Sequence, residues 1–126
     1  MNTKRIILVL GILAVMLPGC ALFEREGPAA VVGTWTNDVG TVWTLKADGT
    51  FDVDLTKDGK RDAWGKYAVT GDTITVQGTG GMNPKGCKGK GVYKFQRGHD
   101  QLHFTLVSDS CKLRKKNVLL GWREKE

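Results

Sequence analysis

The sequence predicts an all-β protein: an eight-stranded antiparallel up-and-down barrel, preceded by an N-terminal signal peptide and a linker. Three observations predict it. From residue 31 onward, apolar and polar side chains alternate in short runs, the period of half-buried strands. Gly- and Asp-rich turns separate the runs. No stretch carries a convincing helical period, and the connections are too short for the crossovers that parallel strands need. Barrel closure removes the exposed edges such a meander would otherwise present. An open sandwich is the alternative architecture.

The runs follow in order. "VVGTWTN" (31–37) is the first, ended by the turn "DVG". "TVWTLK" (41–46) leads to "ADG", and "TFDVDLT" (50–56) sets Phe51, Val53 and Leu55 on one face and Asp52, Asp54 and Thr56 on the other. "DAWGKYAVT" (62–70) meets the Gly71-Asp72 turn, and "TITVQG" (73–78) precedes a Gly- and Lys-rich connection. "VYKFQ" (92–96), "QLHFTLV" (101–107) and "NVLLGWRE" (117–124) complete the set. By alternation the inward residues are Trp35, Trp43, Phe51, Val53, Leu55, Tyr67, Val69, Ile74, Val76, Tyr93, Phe95, Leu102, Phe104, Leu106, Leu120 and Trp122. An eight-stranded barrel is filled by its side chains or holds one small ligand. Residues this bulky on strands this short predict a mostly filled core with at most a shallow mouth. A cavity of about 300 Å³ sets the scale for carriage of a drug-sized molecule.

Ahead of the barrel, Lys4 and Arg5 precede an unbroken apolar run, Ile6 to Leu17. A spanning helix needs about 20 such residues. This run is shorter and suits a secretory signal. It ends in "LPGC", which resembles the lipobox of bacterial lipoproteins. The resemblance implies cleavage between Gly19 and Cys20 and acyl chains, palmitate among them, on Cys20. Two or more chains anchor a protein stably to a membrane. Ala21 in place of Asp after the cysteine implies the outer membrane. An ordinary secretory signal with an accidental cysteine is the plainer alternative. The domains are therefore 1–19, signal peptide; 20–30, lipidated cysteine and linker; and 31–126, barrel.

Cys87 and Cys111 remain once Cys20 carries lipid. Export places them in an oxidising compartment, so they read as one disulfide, with two free buried thiols as the alternative. In the meander, connections 1–2, 3–4, 5–6 and 7–8 share one end. Cys87 falls in connection 5–6 and Cys111 in 7–8, so both stand at that end. The N-terminal segment enters at the other, so the disulfide end points away from the membrane.

Gly33-Thr34-Trp35 at the start and Trp122-Arg123 at the close resemble the calycin pattern of lipocalins and their relatives. The resemblance implies a cation–π contact between Trp35 and Arg123 that closes the barrel. The whole chain from Cys20 looks like a small lipocalin-like bacterial lipoprotein. "GTWTNDVGTVWTL" also resembles the first hairpin of avidins, which implies ligand contacts at Asn37 and Thr41 beside Trp43. That likeness ends with the hairpin, and the tryptophan-bearing motifs that wall a biotin site have no counterpart. Exported barrel inhibitors of metalloproteases and of lysozyme share the size and the single disulfide.

Other constellations are weaker. Asp54, Thr56, Asp58 and Asp62 with Gly59 follow half of a calcium loop, but Gly65 stands where the bidentate acid belongs. A hairpin turn on Asp58-Gly59 accounts for the same residues. His99 and His103 fall in a turn and a strand, without converging ligands, so no metal site is expected. No nucleophile elbow, phosphate loop or dinucleotide motif is present, so neither an enzyme nor a cofactor is expected.

The chain carries a net charge of +6. Loss of Lys4 and Arg5 lowers it to about +4, and nucleic acid is not an expected partner. Lys85, Lys88, Lys90, Lys112, Arg114, Lys115 and Lys116, with Lys57, Lys60 and Arg61, form a basic rim at the disulfide end. Such a rim suits anionic ligands, sugars or an acidic protein, or is simply a solvated surface. The functional expectation is non-catalytic binding of a small molecule at the barrel mouth. The alternative is a protein-binding module or inhibitor that uses the rim.

Overall fold

In the computed structural model, which describes residues 27–126, the meander closes on itself. The strands are β1 (Gly33–Thr36), β2 (Val42–Leu45), β3 (Thr50–Asp54), β4 (Ala63–Thr70), β5 (Thr73–Gly81), β6 (Gly91–Arg97), β7 (Gln101–Ser108) and β8 (Trp122–Glu124). Every neighbour is antiparallel, and β8 returns to β1 through the pairs Trp35–Glu124 and Thr36–Arg123. The architecture is an eight-stranded antiparallel closed barrel, consistent in general with the calycin fold class. The signal peptide and Cys20 lie outside the described residues. No helix among the described residues is long and apolar enough to cross a membrane.

Strand ends differ from the expected ones for local reasons. β3 stops at Asp54 because that carboxylate turns the chain, accepting the backbone N–H of Lys57 and of Gly59, each at 2.8 Å. β5 runs on to Gly81 beside β4. It lies so close there that a Cβ on Gly80 would sit 2.3 Å from Trp64 Nε1.

The largest departure is at the last strand. Residues Lys112–Val118 form a helix, α1, and β8 keeps only Trp122–Glu124. Cys111 caps the helix, its Sγ accepting the Arg114 N–H at 3.4 Å. Lys115 and Lys116 lie in its last turn, where cations favour the helix dipole. Leu120 accordingly falls in a link rather than a strand and is exposed. Leu106 is also exposed, because β8 pairs only with Gln101 and Leu102 and leaves the end of β7 uncovered on that side. Both had been expected in the core. Leu45, absent from the alternation set, is buried there.

The two ends close differently. At the N-terminal end, a 3-10 turn at Gly27–Ala30 lies within the stretch read as linker, and Ala30 and Val31 are fully buried. Trp35 Nε1 donates to Val31 O at 2.9 Å. The cation over the Trp35 ring is Arg97, at 4.7 Å, and not Arg123 as the calycin resemblance implied. Register explains the exchange. Arg123 stands opposite Thr36, and directly opposed residues share a face, so it points away from the inward Trp35. Its side chain pairs with Asp38 at 2.8 Å, while its backbone closes the barrel. Arg97 donates to Ala30 O at 3.0 Å and so ties the entering chain to the barrel.

The Cys87–Cys111 disulfide forms at the opposite end, where topology placed it. A closed barrel with its own core and crosslink is a unit able to fold without residues 1–26. The crosslinked residues are 24 apart. In the chain-entropy picture a loop of this size contributes about 3 kcal/mol. Replacing Cys87 and Cys111 together by Ser is expected to lower the unfolding free energy by about that amount in urea titrations. Reductant should destabilise the parent chain equally and leave the double variant unchanged.

Candidate functional site

Beneath α1, at the disulfide end, the barrel holds a cavity of about 220 Å³. Trp43, Phe51, Val76 and Trp122 of the barrel line it together with Leu113 and Val118 of α1. Met82 and Pro84, from the connection after β5, form part of its mouth. Farther into the core, Leu45, Ile74, Tyr93 and Leu102 are fully buried. The volume falls below the drug-sized range of about 300 Å³ and above. It exceeds the roughly 150 Å³ of an apolar cavity that accepts benzene. The space therefore fits one substituted ring.

Three ties hold the roof. The first is the disulfide, which joins Cys111 at the start of α1 to the β5–β6 connection. The second is a buried ion pair. Arg114 grips Asp109 through two bonds of 2.7 Å, from Nε to Oδ2 and from Nη2 to Oδ1. The Tyr93 hydroxyl donates to Asp109 Oδ2, and Cys111 N–H donates to Oδ1 at 2.8 Å. Burial raises the pKa of Asp109, but the bonds from Arg114, Tyr93 and Cys111 outweigh it and hold the carboxyl below its usual range. Burial, with the Asp109 carboxylate beside it, pushes the Tyr93 phenol well up. Gly91 makes room for the cluster: a Cβ there would lie 2.5 Å from Asp109 Oδ2.

The third tie joins α1 to the first hairpin. Asn37 Nδ2 donates to Asn117 Oδ1 at 2.8 Å, and Asn117 Nδ2 donates to Thr41 Oγ1 at 3.1 Å. Asn37 Oδ1 also accepts the backbone N–H of Val39 and of Thr41. Asn37 and Thr41 are thus buried structural residues engaged with one another and with the helix. They do not line the cavity.

Trp43 does line it. Its ring packs against Trp122 at 5.2 Å, Phe104 at 5.5 Å and Phe51 at 6.1 Å. Its indole N–H is, among the described residues, the buried side-chain polar group without a partner.

Of the expected rim, Lys85, Lys88, Lys90, Lys112 and Lys116 are exposed and Lys115 is half-buried. Arg114 is not a free rim cation, because Asp109 neutralises it. Asp54, Asp58 and Asp62 do approach one another within 4.8 Å. Their oxygens, however, serve the turn. Asp54 accepts four backbone N–H groups, from Thr56, Lys57, Asp58 and Gly59. Asp62 takes that of Leu55 and Asp58 that of Lys60. His99 and His103 are both exposed and join no cluster, and His103 bonds Gln101. Asp109, Tyr93 and Asn117 carry the site's architecture without a short-range sequence signature. Tyr93 meets Asp109 only once β6 and β7 pair, and Asn117 meets Asn37 and Thr41 only once α1 covers the first hairpin.

The chain has no match among protein-family models, curated proteins or solved structures. The functional reading therefore rests on this geometry and on the sequence resemblances.

Asp109 makes stability depend on pH. Its folded pKa is depressed, so its contribution is present above the unfolded value of about 3.9 and is lost as pH falls through the folded value. Urea midpoints measured from neutral pH to about pH 3 should fall more steeply for the parent chain than for Asp109→Asn. Asp109→Ala, which strands Arg114, is expected to cost about 3 kcal/mol at neutral pH.

Proposed function

We propose that this protein is the non-catalytic binding barrel of an envelope lipoprotein, anchored through Cys20 at the outer membrane. Its mouth cavity holds a compact aromatic or alicyclic molecule bearing one hydrogen-bond acceptor. The lipobox-like "LPGC" supports the anchor. One observation carries the ligand: under a roof fixed by three ties lies an aromatic cavity walled in part by Trp43, whose indole N–H is buried without a partner. An apolar guest gains from area removed from water. An acceptor on that guest gains a further bond, worth about 0.5–1.5 kcal/mol net. Recognition of this kind needs no reacting group, only shape and one donor.

The test is a titration of the oxidised protein with benzene and with benzyl alcohol, followed through the indole resonances in ¹H–¹⁵N spectra. Both probes are expected to saturate, with benzyl alcohol bound several-fold more tightly and the Trp43 N–H moving downfield. Trp43→Phe should abolish the preference while retaining benzene. Failure of either probe to perturb Trp43 would sink the proposal.

A further inference from the structure

Among the described residues, the exposed large hydrophobic ones are Val39, Met82, Leu106, Val107, Leu113, Leu119 and Leu120. Every one lies in a disulfide-end connection or in the last strand residues that feed one. The same connections hold the lysines. After Asp109 cancels Arg114, residues 82–90 and 109–121 keep Lys85, Lys88, Lys90, Lys112, Lys115 and Lys116 with no acid against them. The β1–β2 and β3–β4 connections of this end add Asp38, Asp54, Asp58 and Asp62 against Lys57, Lys60 and Arg61, which leaves the end with a surplus of cations, while the turns of the other end carry Asp48, Asp72 and Asp100. The molecule is therefore polarised: the disulfide end is apolar and cationic overall, most strongly at residues 82–90 and 109–121, and the other end carries acidic turns.

From this coincidence we infer that the disulfide end docks onto an anionic bilayer surface. Lysines attract lipid phosphates, and exposed Leu, Met and Val side chains enter the headgroup–acyl boundary. Charge complementarity selects the partner, since a neutral surface offers the lysines nothing. The apolar residues are dispersed among the cations over several connections. That arrangement suits a fluid interface better than the packed apolar centre of a protein–protein contact. The chain enters the barrel at the opposite end, so an anchor at Cys20 turns this surface away from its own membrane, and the bilayer it meets is one that faces that membrane. The cavity mouth, with Met82 and Leu113 on it, lies at this end.

The test uses residues 21–126, oxidised, in co-sedimentation with vesicles and no added ring compound. One set is pure phosphatidylcholine, and the other contains about one third phosphatidylglycerol. Uptake by the anionic set alone, falling steeply with added salt, is the expected result. Replacing Lys88, Lys112 and Lys116 together by Gln should weaken binding about a hundredfold, roughly fivefold per charge. Lys66→Gln with Lys94→Gln, on the barrel wall, should have a much smaller effect per charge. Met82→Ser with Leu113→Ser should weaken binding several-fold and preserve its salt dependence. Equal uptake by both sets, no uptake by either, or equal losses per charge at the wall and at the end would overturn the inference. No uptake would direct the surface to an acidic protein instead. The vesicle result does not depend on cavity binding, so the two proposals fail separately.

Discussion

Asp109 leaves water where β7 hands the chain to α1, and four hydrogen bonds meet it there, from Tyr93, Cys111 and twice from Arg114. A buried carboxylate is tolerated only when its lone pairs are filled and its charge is matched. The bidentate guanidinium does both, and its planar fork leaves little freedom in how α1 approaches. That one constraint sets the helix over the barrel mouth. The position of the helix in turn creates the roof of the cavity and brings Asn117 to the first hairpin. It also turns the remaining lysines outward. Even Gly91 follows from it, since no side chain fits beside the carboxylate.

A barrel whose final strand is three residues long needs help to stay shut. β8 pairs with two residues of β1 and two of β7, too few to cover the whole seam. The molecule meets the deficit differently at its two ends. At the N-terminal end, Arg97 stacks on Trp35 and bonds the backbone of Ala30, which fills the opening with the entering chain. At the other end α1 and its crosslink do the equivalent work, but a helix covers an opening without filling it. Trp43, Phe51 and Trp122 are left lining open space.

Much of the fold could be read from period-two runs such as "TFDVDLT" and from turns such as Gly71-Asp72. These signals are local, and the backbone obeys them locally. The disulfide was legible for a different reason: strand parity in a meander fixes which connections share an end, whatever the side chains do. The unread features all depend on long-range choices. A helix of seven residues with Val118 as its one buried residue shows no period. Whether Arg97 or Arg123 reaches Trp35 turns on the β1–β8 register, which one residue of slip would reverse. Asn37 and Thr41 matched a ligand-binding hairpin in spacing. Their partner within the fold, Asn117, lies 80 and 76 residues away and on an element the sequence did not announce.

Trp43 gives the cavity its chemical character. Phenylalanine at this position would keep most of the contacts to Phe51, Phe104 and Trp122 without burying a donor. Indole adds area and an N–H, and an unpaired buried N–H costs about 1–3 kcal/mol. That cost belongs to the unliganded state alone. Under the proposed binding, a guest whose acceptor reached the N–H would remove that cost and turn it into selectivity. The disulfide, the Asp109–Arg114 pair and the Asn117 bridge fix α1 above the indole, so the roof does not settle further into the cavity. The same ties that close an incomplete barrel thus keep its mouth from filling, with one donor left unpaired in the wall.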